Sequence, residues 1–244
     1  MYREAEIKMS FKKARVRRLN DHPTNADGEY VLYWMQMARR MRCNHALDYA
    51  LAASRTLGVP LVVYEGLRLD YPWASRRLHR FVLEGMQDNA RDAKLLGLTY
   101  WPFVEAPGVS ARGLLRRLAR TAALVVTDDF PCFIVPKQSA ALAQKVDMPV
   151  HAVDGNCVVP LSLLGAPVSA AAHLRHRIHK LFEEAWAHLA TETPAVHAAA
   201  KCRLAPPFEL FGASDLDAFL DALPIDATVR EVPGVRGGSK ARVV

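Results

Sequence analysis

Tyr30-Val-Leu-Tyr-Trp34 is an uninterrupted apolar run, and a second such run, Pro60-Leu-Val-Val-Tyr64, follows thirty residues later. A continuous apolar run bounded by turn residues is typical of a strand that is buried on both faces. Between the two runs, residues 44–57 carry apolar side chains at helical spacing, with Asn44 as the predicted N-cap and Gly58 as the stop. The stretch 30–64 is therefore predicted to form strand, helix and strand, the unit from which parallel sheets are built.

The same alternation continues to residue 153. Further strands are predicted at 98–104, 123–127 and 149–153, with helices between them at 73–96, 110–121 and 136–146. Pro102 has no backbone N–H, which places the third of the five predicted strands at an edge of the sheet. Because parallel crossovers are right-handed, the pattern predicts a Rossmann-like, doubly wound α/β fold with five parallel strands in the order 3-2-1-4-5.

Three regions are predicted from this pattern. Residues 1–19 form a basic N-terminal tail, and residues 20–155 form the α/β domain. Residues 156–244 lose the strand–helix alternation and are predicted to be a connector with one or two helices, at about 173–191 and 214–220.

The basic charge of the chain is concentrated at its two ends. The 244 residues carry a formal net charge of +7, and residues 1–18 hold seven basic against two acidic side chains. Residues 236–244 add three basic side chains and no acid, so the part between them is close to neutral. A basic end can bind a phosphate backbone without sequence preference, or it can be a solvated flexible segment, and the sequence leaves both interpretations open.

Several functional classes are excluded by composition. The four cysteines lie at least 25 residues apart, which excludes CxxC redox motifs and zinc ribbons and argues against a disulfide scaffold. The apolar runs are far shorter than a membrane span, and the basic N-terminus lacks the apolar segment of a signal peptide. We therefore expect a cytoplasmic protein with no membrane association.

Nucleotide and metal motifs are also missing. Met35–Arg40, directly after the first strand, contains no glycine, so a glycine-rich dinucleotide-binding turn is excluded, and no P-loop is present. His173, His176 and His179 repeat every three residues, but the basic side chains among them favour a solvated helix face over a metal site. We predict no metal ligands and no catalytic residues.

The carboxyl ends of the first and fourth predicted strands give the one candidate ligand site. In a doubly wound sheet, ligands bind where the strand order reverses, and these two ends meet there. Polar groups beside flat apolar ones suit a planar heteroaromatic ligand. The alternative is that the aromatic side chains pack the core and the acids cap the next element. The predicted cofactor-binding residues are Trp34, Met35, Gln36, Arg39, Asp128 and Phe130.

The chain resembles the N-terminal domain of class II DNA photolyases. The resemblance covers residues 15–153 well and extends weakly through 216–238, with departures at Trp73–His79 and Phe130–Pro136. It rests mainly on Tyr30-Val-Leu-Tyr-Trp-Met-Gln36, Asn44-His-Ala-Leu47, Pro60-Leu-Val-Val-Tyr-Glu-Gly-Leu67 and Asp70-Tyr-Pro72. Arg77, His79-Arg-Phe81, Leu83-Glu-Gly85 and Val125-Val-Thr-Asp128 continue it in the same order.

The resemblance implies that two domains carry different functions. In photolyases and cryptochromes the α/β domain carries, in some members, an antenna chromophore such as a deazaflavin or a folate. A C-terminal helical domain holds FAD, the pyrimidine-dimer pocket and the tryptophan electron chain, and that domain is not expected within residues 1–244. No FAD is therefore expected in this chain alone, and none of the family's flavin or repair residues can be assigned to it.

Two functional hypotheses follow. The first is an antenna and scaffold domain of a light-dependent enzyme that repairs cyclobutane pyrimidine dimers, a carbon–carbon lyase, inactive without a separate chain supplying the FAD domain. In this hypothesis any DNA contact through residues 1–18 is weak and non-specific. The second is a free-standing Rossmann-like module that binds a nucleotide or a protein and has no photochemistry.

Overall fold

The computed structural model of the chain describes residues 12–239, which form a six-stranded, mostly parallel sheet covered by helices on both faces. The strands are β1 (Val16–Arg18), β2 (Tyr30–Met35), β3 (Leu61–Leu67), β4 (Thr99–Val104), β5 (Ala122–Asp128) and β6 (Val150–Val153). The helices are α1 (His45–Leu57), α2 (Arg76–Leu96), α3 (Leu114–Arg120), α4 (Val135–Ala143), α5 (Ala171–Trp186) and α6 (Leu216–Asp221). Two short 3-10 turns lie at Leu161–Leu163 and Ala198–Ala200.

The order of the parallel strands confirms the prediction. The sheet runs β1-β6-β5-β2-β3-β4, so the five predicted strands keep the order 3-2-1-4-5, and β4, which contains Pro102, lies at an edge. The strands β2, β3 and β5 are mostly apolar and almost wholly buried, as expected for strands that helices cover on both faces.

The predicted number of strands was wrong, because a sixth strand pairs antiparallel with β6. Val16–Arg18 lies within the segment predicted as the basic tail, and Val16 pairs with Val153. This strand has no apolar run that sequence periodicity could detect. Its position is fixed by Arg15, whose buried guanidinium donates to the backbone carbonyls of Asp154, Cys157 and Val158 at 2.5–3.0 Å. The remaining tail, residues 1–11, lies outside the described residues.

Helices α1 and α2 cover one face of the sheet and α3 and α4 the other. Val31, Tyr33 and Met35 point from β2 into the first layer, and Tyr30 and Leu32 point into the second. Asn44 caps α1 as predicted, since its side chain accepts the N–H of Leu47 at 3.0 Å. Other predicted helix starts moved by a few residues: α2 begins after Ser75, α3 after Gly113 rather than Ser110, and α6 after Asp215 rather than Ser214.

The C-terminal connector folds back onto the α/β domain. Helix α5 packs on residues 158–164, residues 188–200 run along α1, and α6 packs on α2. None of the helices within residues 12–239 has the length together with the hydropathy that a bilayer-spanning segment requires.

The last described residues form a strap across α2. The Arg236 guanidinium donates to both carboxylate oxygens of the buried Asp88 at 2.9 Å, and the N–H of Gly237 donates to Glu84 at 2.7 Å. The strap approaches the helix so closely that a Cβ at Gly237 would overlap the backbone carbonyl of Phe81. Gly85 of α2 faces the same strap, but a Cβ there would lie 3.6 Å from the Cα of Gly238, an ordinary contact.

We predict that Gly237→Ala and Gly85→Ala change stability in opposite directions. Gly237→Ala forces the strap away from α2 and weakens the Arg236–Asp88 pair, so the free energy of unfolding falls by about 1–3 kcal/mol. Gly85→Ala adds a good helix former without a clash, so the free energy of unfolding rises by about 0.5–1 kcal/mol. Urea unfolding followed by circular dichroism measures both, and a change of the same sign in the two variants would refute the strap geometry.

Candidate functional site

The carboxyl ends of β2 and β5 lie side by side at the centre of the sheet, where the strand order reverses. Trp34 of β2 pairs in register with Thr127 of β5, and the hydroxyl of Thr127 donates to the backbone carbonyl of Trp34 at 2.9 Å. The segments that follow these two strands form the edge at which a doubly wound sheet is expected to bind a ligand.

Asp128, the last residue of β5, is buried and its carboxylate is fully engaged by the protein. Its Oδ2 accepts the backbone N–H groups of Gln36, Met37 and Ala38 at 2.9, 2.6 and 3.1 Å. Its Oδ1 accepts the hydroxyl of Tyr33 at 2.8 Å. The carboxylate therefore fixes the loop that leaves β2.

The same network continues to the start of α1. The side-chain amide of Asn44 donates to the hydroxyl of Tyr33 at 3.0 Å and to the carbonyls of Ala38 and Arg40 at 2.9 Å each. Burial, with the Asp128 charge beside it, raises the pKa of the Tyr33 hydroxyl well above its ordinary value. Tyr33 is consequently a neutral hydrogen-bond donor at all physiological pH values.

Gln36 makes the corresponding contacts on the face of the sheet that α3 and α4 cover. Its amide nitrogen donates to the hydroxyl of Thr127 at 2.7 Å and to that of Ser139 in α4 at 3.0 Å. Gln36 and Asp128 together fill the gap between the ends of β2 and β5 with the protein's own hydrogen bonds.

A second polar cluster lies at the end of β3, under α2. The buried Glu65 accepts the hydroxyl of Tyr100 at 2.6 Å, the amide of Asn89 at 2.9 Å and the guanidinium of Arg39 at 3.1 Å. Burial, followed by the charge of Glu65, raises the pKa of Tyr100 well above its ordinary value. The side chain of Arg39 is 32% exposed, so part of it reaches the surface, while its Nη1 holds Glu65 and its Nε donates to the carbonyl of Gln36 at 3.0 Å.

An apolar platform lies just beyond Asp128. The rings of Phe130 and Phe133 stack at a centroid distance of 6.2 Å and an interplanar angle of 4°. Phe133 is 85% exposed and has a positive φ of 58°, which is uncommon for a bulky residue. Ile134 and Met37 are also exposed at this edge. We call Met37, Phe130, Phe133 and Ile134 the edge platform.

The six predicted cofactor-binding residues occupy one edge but different environments. Met35, Gln36 and Asp128 are buried, and the side-chain nitrogen of Gln36 and both carboxylate oxygens of Asp128 bond to other groups of the protein. Trp34 is half-buried and packs on the layer that contains α3 and α4. Arg39 and Phe130 are the members with groups available at the surface.

Three contributors were not predicted from the sequence. Glu65 lies beyond the predicted strand 60–64 and entered only through the family resemblance, although an acid that directly follows an apolar strand can signal a buried polar partner. Tyr33 was assigned to the core, and its contact with Asp128 depends on strand pairing that the sequence does not state. Phe133 was quoted only in a departure from the family pattern. Within residues 12–239, no three His, Cys, Asp or Glu side chains are grouped so as to hold a metal ion.

Comparisons with known proteins point to one group of proteins. No protein-family model matches the chain. The deoxyribodipyrimidine photo-lyase of Methanothermobacter thermautotrophicus is 33% identical over 147 residues, which cover 60% of this chain and 32% of that protein. The deoxyribodipyrimidine photo-lyase of Oryza sativa subsp. japonica is 30% identical over 166 residues, covering 64% of this chain and 32% of that protein.

Solved structures support the same fold. A class III photolyase from Agrobacterium tumefaciens superposes with a TM-score of 0.52 at 17% identity, covering 79% of this chain and 38% of that one. A cryptochrome from Synechocystis superposes with a TM-score of 0.50 at 14% identity, covering 75% of this chain and 39% of that one. The chain spans about a third of the length of the curated relatives it matches, and its α/β fold is that of a photolyase/cryptochrome-like N-terminal domain.

Proposed function

We propose that this chain is the antenna and scaffold domain of a class II-like photolyase system that repairs cyclobutane pyrimidine dimers with light in the cytoplasm. The sequence similarity to two photo-lyases supports the system, and the edge platform supports the antenna role. In this proposal the flavin and the dimer pocket belong to a helical domain on a partner chain. The domain described here is inactive alone.

The observation that carries the antenna role is the stacked pair of the half-buried Phe130 and the exposed Phe133 at the carboxyl ends of β2 and β5. Phe133 is 85% exposed and is held at a positive φ, and both features cost free energy. Such strained, exposed apolar residues are concentrated at binding sites. A flat ring system can stack on Phe133, with the exposed part of Arg39 available to an anionic substituent. A deazaflavin or folate bound there would supply absorption of near-ultraviolet or blue light.

The buried members of the edge have a positioning role in this proposal. Asp128 and Gln36 tie the loop after β2 to the middle of α4, so they set where Met37 and Arg39 lie without contacting the ligand. A ligand at this edge would therefore rest on the surface of the domain rather than enter the sheet.

A second candidate function follows from the hydrogen bonds that fill the carboxyl ends of β2 and β5. Because the gap between β2 and β5 is filled by Asp128 and Gln36, the position at which related sheets admit a cofactor is occupied by protein groups. This favours a free-standing module that binds a nucleotide elsewhere or another protein. The two candidates differ in whether a chromophore stays with the purified chain.

We predict that the chain binds a chromophore through Phe133. Purified in dim light and titrated with a deazaflavin or with methenyltetrahydrofolate, the protein acquires a near-ultraviolet or blue absorption band that co-elutes with it. Phe133→Ser weakens binding by about 5- to 10-fold, the worth of one aromatic stack. Phe182→Ser, which removes the comparable exposed ring stacked on Trp186 in α5, leaves binding unchanged. A colourless protein that binds ATP would instead establish the second candidate.

Asp128 provides the test of the positioning role. Asp128→Asn removes the charge and leaves one acceptor oxygen for four donors, so the free energy of unfolding is expected to fall by about 3 kcal/mol. The neighbouring Asp129 is 24% exposed and pairs with Arg17 at 2.7 Å, so Asp129→Asn should cost less than about 1 kcal/mol. Thermal and urea unfolding measure both variants, and equal losses would contradict the assignment of Asp128 as the support of the edge.

DNA contact through residues 1–18 is a further part of the proposal, and the structure reduces the charge available for it. Arg15 is held by backbone carbonyls, and Arg17 forms a two-bond pair with Asp129 at 2.7 and 2.9 Å. The remaining basic residues of the tail are Lys12, Lys13 and Arg18, which are exposed, and two that lie outside the described residues.

We predict weak, non-specific DNA binding with a strong salt dependence. Lys12→Gln with Lys13→Gln should lower the slope of log affinity against log salt by about 1–2, because each phosphate contact contributes about 0.9. Arg17→Gln, which removes the same charge from a residue already paired, should leave the slope nearly unchanged. Anisotropy of a labelled duplex across a salt series gives the slopes. A reduction in Arg17→Gln as large as that of the lysine variant would contradict the pairing.

A further inference from the structure

A cavity of about 260 Å³ lies on the α1 side of the sheet, between α1, the β1–β6 edge and residues 188–195. None of the six predicted edge residues and none of the edge platform lines it. It is therefore a second concave feature, separate from the site described above.

One wall of the cavity is a single face of α1. The lining residues of this helix extend from His45 to Arg55, which is ten residues or about 15 Å along the axis. The floor is formed by Val16 and Val153, which pair with each other in the antiparallel ladder of β1 and β6. The cavity is thus an elongated groove, and it exists only because β1 extends the sheet beyond β6.

The other wall is the segment 188–195, which is tethered to α1 by hydrogen bonds. Thr191 donates its N–H and its hydroxyl to the two carboxylate oxygens of Asp48 at 2.8 and 2.6 Å, and its carbonyl accepts the N–H of Cys43 at 2.8 Å. At the other end, the guanidinium of Arg55 donates to the carbonyl of Ala195 at 3.2 Å. The tethers hold the segment over the groove instead of letting it collapse onto α1.

The groove carries an excess of positive charge. Among the described residues that line it, Lys12, Arg15 and Arg55 are cationic, and the one acid is Asp48, whose carboxylate already accepts two bonds from Thr191. The guanidinium of Arg15 is held by backbone carbonyls beside Asp154, so Lys12 and Arg55 are the cations considered for a ligand. Burial and the neighbouring cations lower the pKa of His45 to about 4, so that imidazole is neutral at pH 7. Lys12 and Arg55 outnumber Asp48 by one positive group in a concave space, where electrostatic attraction is stronger than in open water.

The rest of the lining is apolar. Val16, Leu51, Val153 and Leu189 contribute aliphatic surface, and the ring of Tyr49 adds an aromatic face. A groove with an apolar body and a few convergent polar groups is the usual form of a small-molecule site. Its volume, slightly below the range typical of drug-sized ligands, suits a molecule of one or two fused rings.

We propose that this groove binds a small aromatic anion, with its ring system against the aliphatic floor and its carboxylate or sulfonate toward the cations. The proposal does not depend on the photolyase-like function, because it uses none of the residues of the switch-point edge.

The test uses the full chain and three probes in isothermal titration calorimetry: 2-naphthoate, the neutral 2-naphthalenemethanol and inorganic phosphate. We expect one site for 2-naphthoate and at least about tenfold weaker binding for each of the other two, since each lacks either the charge or the ring. Equal affinity for 2-naphthalenemethanol would overturn the electrostatic argument. Binding of phosphate alone, or of no probe, would overturn the proposal as a whole.

Paired variants locate the binding. Ala52 lines the groove, so Ala52→Glu should weaken 2-naphthoate binding by about tenfold or more, whereas Thr56→Glu, one turn away and outside the lining, should not. Arg55→Gln should weaken it by about 5- to 10-fold, whereas Arg120→Gln on α3, on the opposite face of the sheet, should not. Thermal unfolding confirms that each variant is folded. Equal loss in a variant and its control would show that binding occurs elsewhere.

Discussion

The buried carboxylate of Asp128 determines how the centre of this molecule is built. It stands at the end of β5 and accepts the N–H groups of three successive residues, 36 to 38, together with the hydroxyl of Tyr33. Three consecutive backbone donors that leave a strand have no ladder partners, and leaving them unpaired in a buried place would be costly. One charge satisfies all of them, so the loop after β2, the cap of α1 and the strand end form a single unit.

This arrangement separates the switch-point edge into an inner and an outer part. The inner polar groups, Asp128 and Gln36, hydrogen-bond to the protein, while the outer surface presents Phe133, Met37 and the exposed part of Arg39. In a doubly wound sheet the opening at the reversal of strand order is the default binding position. Here Asp128 and Gln36 fill that opening with hydrogen bonds to the protein itself, which is why the proposed planar ligand is placed on the exterior of the edge, against Phe133.

The two ends of the chain serve the fold as well as carrying charge. Arg15 fixes β1 against the segment after β6, Arg17 pairs with Asp129, and Arg236 holds the strap on α2 through Asp88. Each of these arginines was counted at the sequence level as part of a basic end. Because β1 adds a strand beyond β6, it also creates the floor of the groove along α1, so the N-terminal segment gives the domain a second concave surface.

The local sequence patterns of the chain were sufficient to predict its fold class and the order of its five parallel strands. Apolar runs of strand length separated by capped helices identify a parallel sheet, and the handedness of crossovers leaves few topologies, so the order 3-2-1-4-5 and the edge position of Pro102 could be predicted. The family resemblance of residues 30–85 and 125–128 also belongs to the sequence alone. Asp128 and Gln36 could be placed at the correct edge for the same reason, since they directly follow strands.

Only the tertiary structure decided what those residues do. Whether an acid at a strand end faces a ligand or a loop depends on the path of the chain 90 residues away, which no local pattern contains. The same holds for β1, which has three residues and no apolar periodicity and becomes a strand only because β6 offers an unpaired edge. The sequence by itself therefore determined the sheet, the order of its central strands and which residues lie at the carboxyl ends of β2 and β5. Long-range hydrogen bonds and charge pairs decided which side chains at that edge are structural and which remain exposed.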